Sequence, residues 1–110
     1  MIYRSKAPLR IGLAGGGTDV SPYCDLYGGA ILNATVSLYA YANIEPVSDP
    51  AITLHAADRK ETLVFEKSNA LPLDGKLDLL KGVYNRIQKD YGFPDTGFKL
   101  HTFVDAPAGS

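Results

Sequence analysis

Residues 9–22, Leu-Arg-Ile-Gly-Leu-Ala-Gly-Gly-Gly-Thr-Asp-Val-Ser-Pro, constrain the fold of this chain more than any other stretch. The alternation of Leu9, Ile11 and Leu13 predicts a strand that runs into Gly15, Gly16 and Gly17. Three successive glycines carry no Cβ, so the backbone can adopt positive φ and a ligand can come close to it. Thr18 and Asp19 follow, and Ser21-Pro22 reads as a helix start. Ser21 is placed to cap the free amides, and Pro22 suits the first helical position, where its missing N–H would be unpaired anyway. The expected unit is strand, glycine loop and helix N-terminus. Such a junction turns backbone amides and a positive helix end toward whatever lies above the loop.

Two phosphate-binding patterns fail on this stretch. No register of Gly12, Gly15, Gly16 and Gly17 gives the Gly-x-Gly-x-x-Gly of a dinucleotide site. Gly12 and Gly17 have the spacing of an ATP-cradling P-loop, but Thr18 stands where that loop needs its lysine. The net charge of −1, from 11 basic and 12 acidic residues spread along the chain, argues against a nucleic-acid surface. No apolar run approaches the roughly 20 residues of a membrane span, and the N-terminus lacks the apolar segment of a signal peptide. Cys24 is the only cysteine, which excludes an internal disulfide and a thiolate metal cluster. A cytoplasmic location is the simplest expectation. At 110 residues the chain makes one domain at most, or part of one.

The first strand is expected over 3–13, interrupted near Pro8, which cannot donate to a ladder. A short helix over 22–27 should end on Gly28 in the left-handed conformation. Two further runs follow, 30–36 and 38–47; in the second, Tyr39, Tyr41, Asn43 and Glu45 share one face. Segments 52–56 and 62–66 read as a hairpin around Ala57-Asp58-Arg59-Lys60. Leu77, Leu80, Tyr84, Ile87 and Tyr91 recur at helical steps and predict a core-facing stripe closed by Gly92 and Pro94. A last strand is expected over 98–104. Strands, helix and strand in that order, with several antiparallel neighbours, imply an α+β domain on a mixed sheet.

The glycine stretch resembles the first motif of the GHMP kinases, the family of galactokinase, homoserine kinase, mevalonate kinase and phosphomevalonate kinase. Ala7-Pro8-Leu9-Arg10 is similar to the family's Ala-Pro-Gly-Lys/Arg opening, and Thr18-Asp19 to the Thr-Asp that closes the motif in sugar kinases. Galactokinase-like members carry Glu-His before that Thr-Asp, where this chain has Gly16-Gly17. Ala14 to Asp19 resembles instead the branch that phosphorylates D-glycero-D-manno-heptose 7-phosphate at its anomeric carbon. Fucokinases are near relatives that typically carry an aromatic in place of Gly17. The resemblance implies an S5 domain 2-like fold, a mixed or antiparallel sheet with helices on one face. It also implies ATP and Mg2+ as cofactors and a sugar phosphate as partner, feeding nucleotide-activated heptose into surface polysaccharide.

Pro107-Ala108-Gly109-Ser110 matches the start of the family's second motif, the loop that wraps the ATP phosphates. The magnesium-coordinating serine, the catalytic aspartate and the third motif would all lie past Ser110. The resemblance therefore implies that residues 1–110 are the N-terminal part of a GHMP kinase N-terminal domain. They would be inactive without the remainder of the polypeptide, and no metal ligand is assigned within them.

Arg10 is the expected catalytic residue: a guanidinium at a strand end facing the glycine loop can hold an acceptor oxygen or the moving phosphoryl. The alternative is a solvated arginine in an ordinary surface pair. Asp19 can accept from sugar hydroxyls or simply flank a helix start. Gly15, Gly16 and Gly17 can offer amides and room to the substrate, or form a tight turn. Thr18 is open between substrate contact and turn hydroxyl. Tyr39 and Tyr41 are expected to pack on the sheet, His55 and His101 to be isolated structural residues, and Cys24 to be a small buried side chain. Two rival functions stay open: a kinase for fucose or another sugar, and a non-catalytic S5-like binding module. The balanced charge and the absence of basic patches weigh against the module. Nothing in the sequence signals an oligomeric state.

Overall fold

The computed structural model describes residues 1–107. Its elements in chain order are β1 (Tyr3–Ala14), α1 (Tyr23–Tyr27), β2 (Leu32–Val47), β3 (Ala51–Ala56), β4 (Glu61–Glu66), α2 (Asp78–Tyr91) and β5 (Gly97–Val104). A 3-10 turn over Ala57–Arg59 joins β3 to β4, as the hairpin spacing predicts. The strands make one five-stranded sheet in the order β1-β2-β5-β3-β4. Only the β3–β5 pairing is parallel; the others are antiparallel. The α+β expectation, a mixed sheet with its main helix on one face, therefore holds.

The core lies where α2 crosses β3 and β5. Ile52, Leu54 and Ala56 point to one face of β3 because side chains alternate along a strand. They meet Phe98 of β5 and Leu77 and Tyr84 of the helix segment, and all six are buried. Each large apolar side chain buried this way contributes roughly 1.5–3 kcal/mol. Tyr84 stacks on Phe93 at 5.0 Å between centroids and donates its hydroxyl to Ser68 O at 2.7 Å. Burial pushes the Tyr84 phenol above its ordinary range.

The core-facing stripe of α2 is shorter than its sequence period suggests. Leu77 and Tyr84 are buried and Leu80 is half-buried, whereas Tyr91 is 85% exposed and Ile87 faces a shallow groove. In their place the helix buries Lys81 completely. Its ammonium reaches Asp74 Oδ1 at 2.6 Å and lies 5.2 Å from the Phe65 ring centre. The Lys81 hydrogen bond holds the Asp74 carboxyl below its usual range, helped by the Lys76 amide. A charge cannot sit in an apolar layer unpaired, so this contact is what lets the helix dock.

Three element predictions need correction. The runs over 30–36 and 38–47 are one strand, β2, because the irregularity that separates them is a bulge within a single ladder. Ser21 does not cap α1: Pro22 occupies the N-cap position without a side-chain cap bond, and the Ser21 hydroxyl bonds Asp25 Oδ2 instead. Gly28 has positive φ (71°) as expected, but its ψ of 169° lies outside the left-handed helical well.

Candidate functional site

β1 and β2 outrun their neighbour. The β2–β5 ladder runs no further than Ala40↔Val104, whereas β1 and β2 continue pairing to Ala14↔Leu32. Residues 9–14 and 32–39 thus form a two-stranded ribbon that projects past the sheet. Its register slips just after Pro8, close to where a proline is predicted to disturb pairing. Pro8 faces Tyr39 and Arg10 faces Thr35, so Leu9 alone stands against Val36, Ser37 and Leu38. Bulges twist a strand and re-aim the side chains beside them, and Arg10 is the first paired β1 residue after this one.

At the ribbon's far end lies a cavity of about 440 Å³. Arg10 and Gly12 enter it from β1, Gly16, Gly17 and Asp19 from the glycine loop, Ile31 from just before β2 and Asn33 from β2 itself. Among the described residues the side chains of Arg10, Asp19 and Asn33 have no hydrogen-bond or ion-pair partner. The ordinary use of a surface arginine, a salt bridge, is therefore absent. A cation, a carboxylate and an amide face one opening where Gly16 and Gly17 project no side chain. That set can bind an anionic, hydroxyl-rich molecule: guanidinium to phosphate, carboxylate to hydroxyl donors, amide to either.

Four of the six residues predicted for the acceptor side thus come together: Arg10, Gly16, Gly17 and Asp19. Gly15 and Thr18 do not line the cavity; they hold the loop. Gly15 has φ 80°, and a Cβ there would come within 2.1 Å of Ala30 O. Thr18 Oγ1 shares its proton between Gly15 O at 2.7 Å and Ala30 O at 3.0 Å and accepts the Ala30 N–H at 3.2 Å. Gly29 is the residue this reading lacked, since its Cβ would meet Thr18 O at 2.0 Å. Its signal was the Gly28-Gly29 doublet, more than a helix end requires. Asn33 also went unread, though a polar residue inside the apolar run over 30–36 marks a strand position turned to something other than core.

The expected helix-dipole contribution is corrected. α1 starts six residues after Gly17, is five residues long, and supplies none of the cavity lining. A single turn carries little of a macrodipole, which is built from aligned peptide units.

The outer sheet face carries the other residues singled out. Tyr41 stacks on Phe103 at 4.5 Å, with the Arg4 guanidinium 4.8 Å above Tyr41 and the Lys6 ammonium 4.3 Å from Tyr39, so both tyrosines do pack on the sheet. His55 and His101 are not isolated: they are direct neighbours on β3 and β5, ring centres 4.4 Å apart, with His55 Nδ1 2.6 Å from Thr62 Oγ1. Cys24 is half-buried, with Sγ 3.6 Å from Asp25 Oδ1. Pro107 follows the end of β5, and Ala108, Gly109 and Ser110 lie outside the described residues. Among the described residues no group of three or more His, Cys, Asp or Glu could hold a metal ion, and no helix is long and apolar enough to cross a membrane.

No family model matches the chain. Its architecture, however, recurs in small-molecule kinases. A mevalonate kinase from Methanococcus jannaschii superposes with a TM-score of 0.77 at 16% identity, covering 99% of this chain and 34% of that one. A Lactococcus lactis galactokinase complexed with galactose superposes at 0.73 and 22% identity, covering 97% and 27%. At those identities the likeness establishes the GHMP kinase fold.

The likeness in sequence is narrower. A D-glycero-alpha-D-manno-heptose 7-phosphate kinase from Campylobacter jejuni is 46% identical over 107 residues, 97% of this chain and 32% of its own length. A crystal structure of a D-glycero-D-manno-heptose 1-phosphate kinase from Bacteriodes thetaiotaomicron is 53% identical with a TM-score of 0.87, covering 100% of this chain and 36% of that one. The expected resemblance to GHMP sugar kinases, and among them to heptose phosphate kinases, therefore holds along the chain. The chain spans about a third of the length of these relatives.

Proposed function

We propose that residues 1–110 are the N-terminal part of the N-terminal domain of an ATP-dependent kinase that phosphorylates a heptose 7-phosphate at its anomeric hydroxyl. The reaction belongs to carbohydrate metabolism, in the cytoplasm, and leads toward nucleotide-activated heptose. The observation that carries this reading is the unpartnered trio of Arg10, Asp19 and Asn33 around one glycine-floored cavity. The sugar-kinase relatives supply the reaction class.

In this reading Arg10 donates to the anionic end of the bound pair, either the acceptor's phosphate or the oxygens of the group in flight, where positioning and positive charge are what phosphoryl transfer needs. Asp19 and Asn33 orient the sugar hydroxyls, and Gly16 and Gly17 leave room for a phosphorylated sugar. Thr18, Gly15 and Gly29 keep that loop closed on itself. Bound ATP supplies the phosphoryl group, and Pro107, Ala108, Gly109 and Ser110 begin the loop that holds its phosphates. Mg2+ would accompany the nucleotide, with its ligands supplied by the remainder of the polypeptide.

Arg10→Ala, made in a polypeptide of the relatives' length, tests the assignment. Transfer to heptose 7-phosphate should fall about a thousandfold, comparable to loss of a transition-state arginine. The thermal midpoint should be unchanged, since the side chain has no partner to lose. Unaltered turnover would make Arg10 a surface charge. Tighter binding of fucose or another free sugar than of the heptose phosphate, in an inhibition panel, would move the enzyme to another branch. Salt-sensitive RNA binding would favour the S5-like binding module, against which the balanced charge speaks.

A further inference from the structure

The β2–β5 ladder ends in a rung made half of backbone and half of side chain. After Ala40↔Val104 the antiparallel register brings Asp105 opposite Tyr39. The Asp105 N–H donates to Tyr39 O at 2.9 Å, as a strand continuing normally would. The reciprocal bond does not go to the Asp105 carbonyl: the Tyr39 N–H donates to Asp105 Oδ2, also at 2.9 Å. The carboxylate takes over the acceptor role of the main chain. That releases the backbone carbonyl, and β5 ends at Val104, three residues before Pro107 opens the segment read as the phosphate loop.

Tyr39 occupies a special place. Both its main-chain groups point toward β5, because N–H and C=O of one strand residue face the same neighbour. On its other side lies Pro8, which has no N–H to offer, and immediately beyond it come the three bulged residues and then Arg10's partner Thr35. Tyr39 is therefore where the ribbon bearing Arg10 leaves the sheet. Asp105 grips that root from the chain that leads to the donor loop. From this geometry we infer that Asp105 is a positioning residue for phosphoryl transfer. Its carboxylate ties the origin of the ATP phosphate loop to the base of the acceptor-binding ribbon, setting the separation of the two substrates. The inference rests on the kinase reading given above.

The test compares Asp105→Ala and Asp105→Asn with wild type in a polypeptide of the relatives' length, using ATP and heptose 7-phosphate as probes. Loss of one charge-assisted bond of this kind should weaken ATP binding about tenfold in the alanine variant and lower kcat at least as much. The KM for the sugar phosphate should stay within about twofold, because Asp105 does not touch that cavity. The asparagine variant retains an acceptor oxygen and should recover to within about threefold of wild type. Hydrogen exchange at the Tyr39 amide should quicken in the alanine variant alone. ATP binding and kcat unchanged in Asp105→Ala, or equal losses in both variants, would overturn the positioning role. If the folded wild type itself binds no ATP, the kinase reading fails and this inference with it.

Discussion

The two halves of the sheet are built on opposite principles. Where α2 crosses β3 and β5, apolar side chains interlock, and even Lys81 is sealed in by Asp74 and Phe65. On the β1–β2 side the same face is open: Ala7, Ala40, Ala42 and Leu80 border grooves of about 450 Å³, and Ile11, Leu13 and Leu32 are exposed. Order in the ribbon comes instead from backbone geometry: ladder bonds, a bulge after Pro8, and glycines packed against carbonyl oxygens. Burial is concentrated in one half and unpartnered polar side chains around an open cavity in the other. Groups that must meet a ligand have to stay unpaired, whereas a packed core pairs nearly all of its buried polar groups.

Variants can break or sharpen that division. The largest loss of stability should come from Leu54→Ala, which hollows out a fully buried site and should cost about 3 kcal/mol in denaturant unfolding. Sugar-phosphate affinity per folded molecule should not change; a parallel loss of binding would show that the ribbon depends on the core after all.

Gly29→Ala is the mirror experiment. Its Cβ cannot be accommodated 2.0 Å from Thr18 O, so the loop must shift and acceptor affinity should fall about a hundredfold, as a displacement near 1 Å commonly produces. The thermal midpoint should move by less than about 4 °C, equivalent to under 1 kcal/mol in a domain of this size. Wild-type binding by this variant would mean that the glycine loop is not the acceptor floor.

The smallest effects concern the buried lysine. The Asp74 carboxyl titrates below its ordinary value when folded, so its contribution is present above about pH 4 and drains away as the pH falls through the folded value. Lys81→Met removes that acid-sensitive component and should change stability at neutral pH by no more than about 1 kcal/mol, since an apolar side chain of similar length fills the slot. Asp74→Asn, which leaves a buried ammonium without its counter-charge, should be the more damaging of the two. Acid titrations of unfolding check the ordering, and an unaltered acid limb in Lys81→Met would refute it.

Much of the scaffold was legible because local rules and tertiary demand agree there. The β3–β4 hairpin follows from Ala57 to Lys60 between two alternating runs, and α2 from a helical stripe ended by Gly92. The site was half legible. Arg10, Gly16, Gly17 and Asp19 could be picked out together because they lie in one motif, whereas Gly29 and Asn33 come to it from a segment ten or more residues further along the chain. Lys81 gave no local sign of burial, and the His55–His101 pair is made by strands 46 residues apart in sequence.

By itself, then, the sequence determined what nearest-neighbour chemistry controls: where strands and helices begin, which loop can lie without side chains, and which family of kinases the motif resembles. The tertiary structure alone decided which groups remain without a partner, that one ladder joins two apparent strands, and that Asp105 closes it on Tyr39. The physical reason is one of range. Backbone propensity and hydrophobic period act over a few residues, whereas pairing a charge, excluding a Cβ or completing a ladder depends on atoms that only the folded sheet brings within about 3 Å.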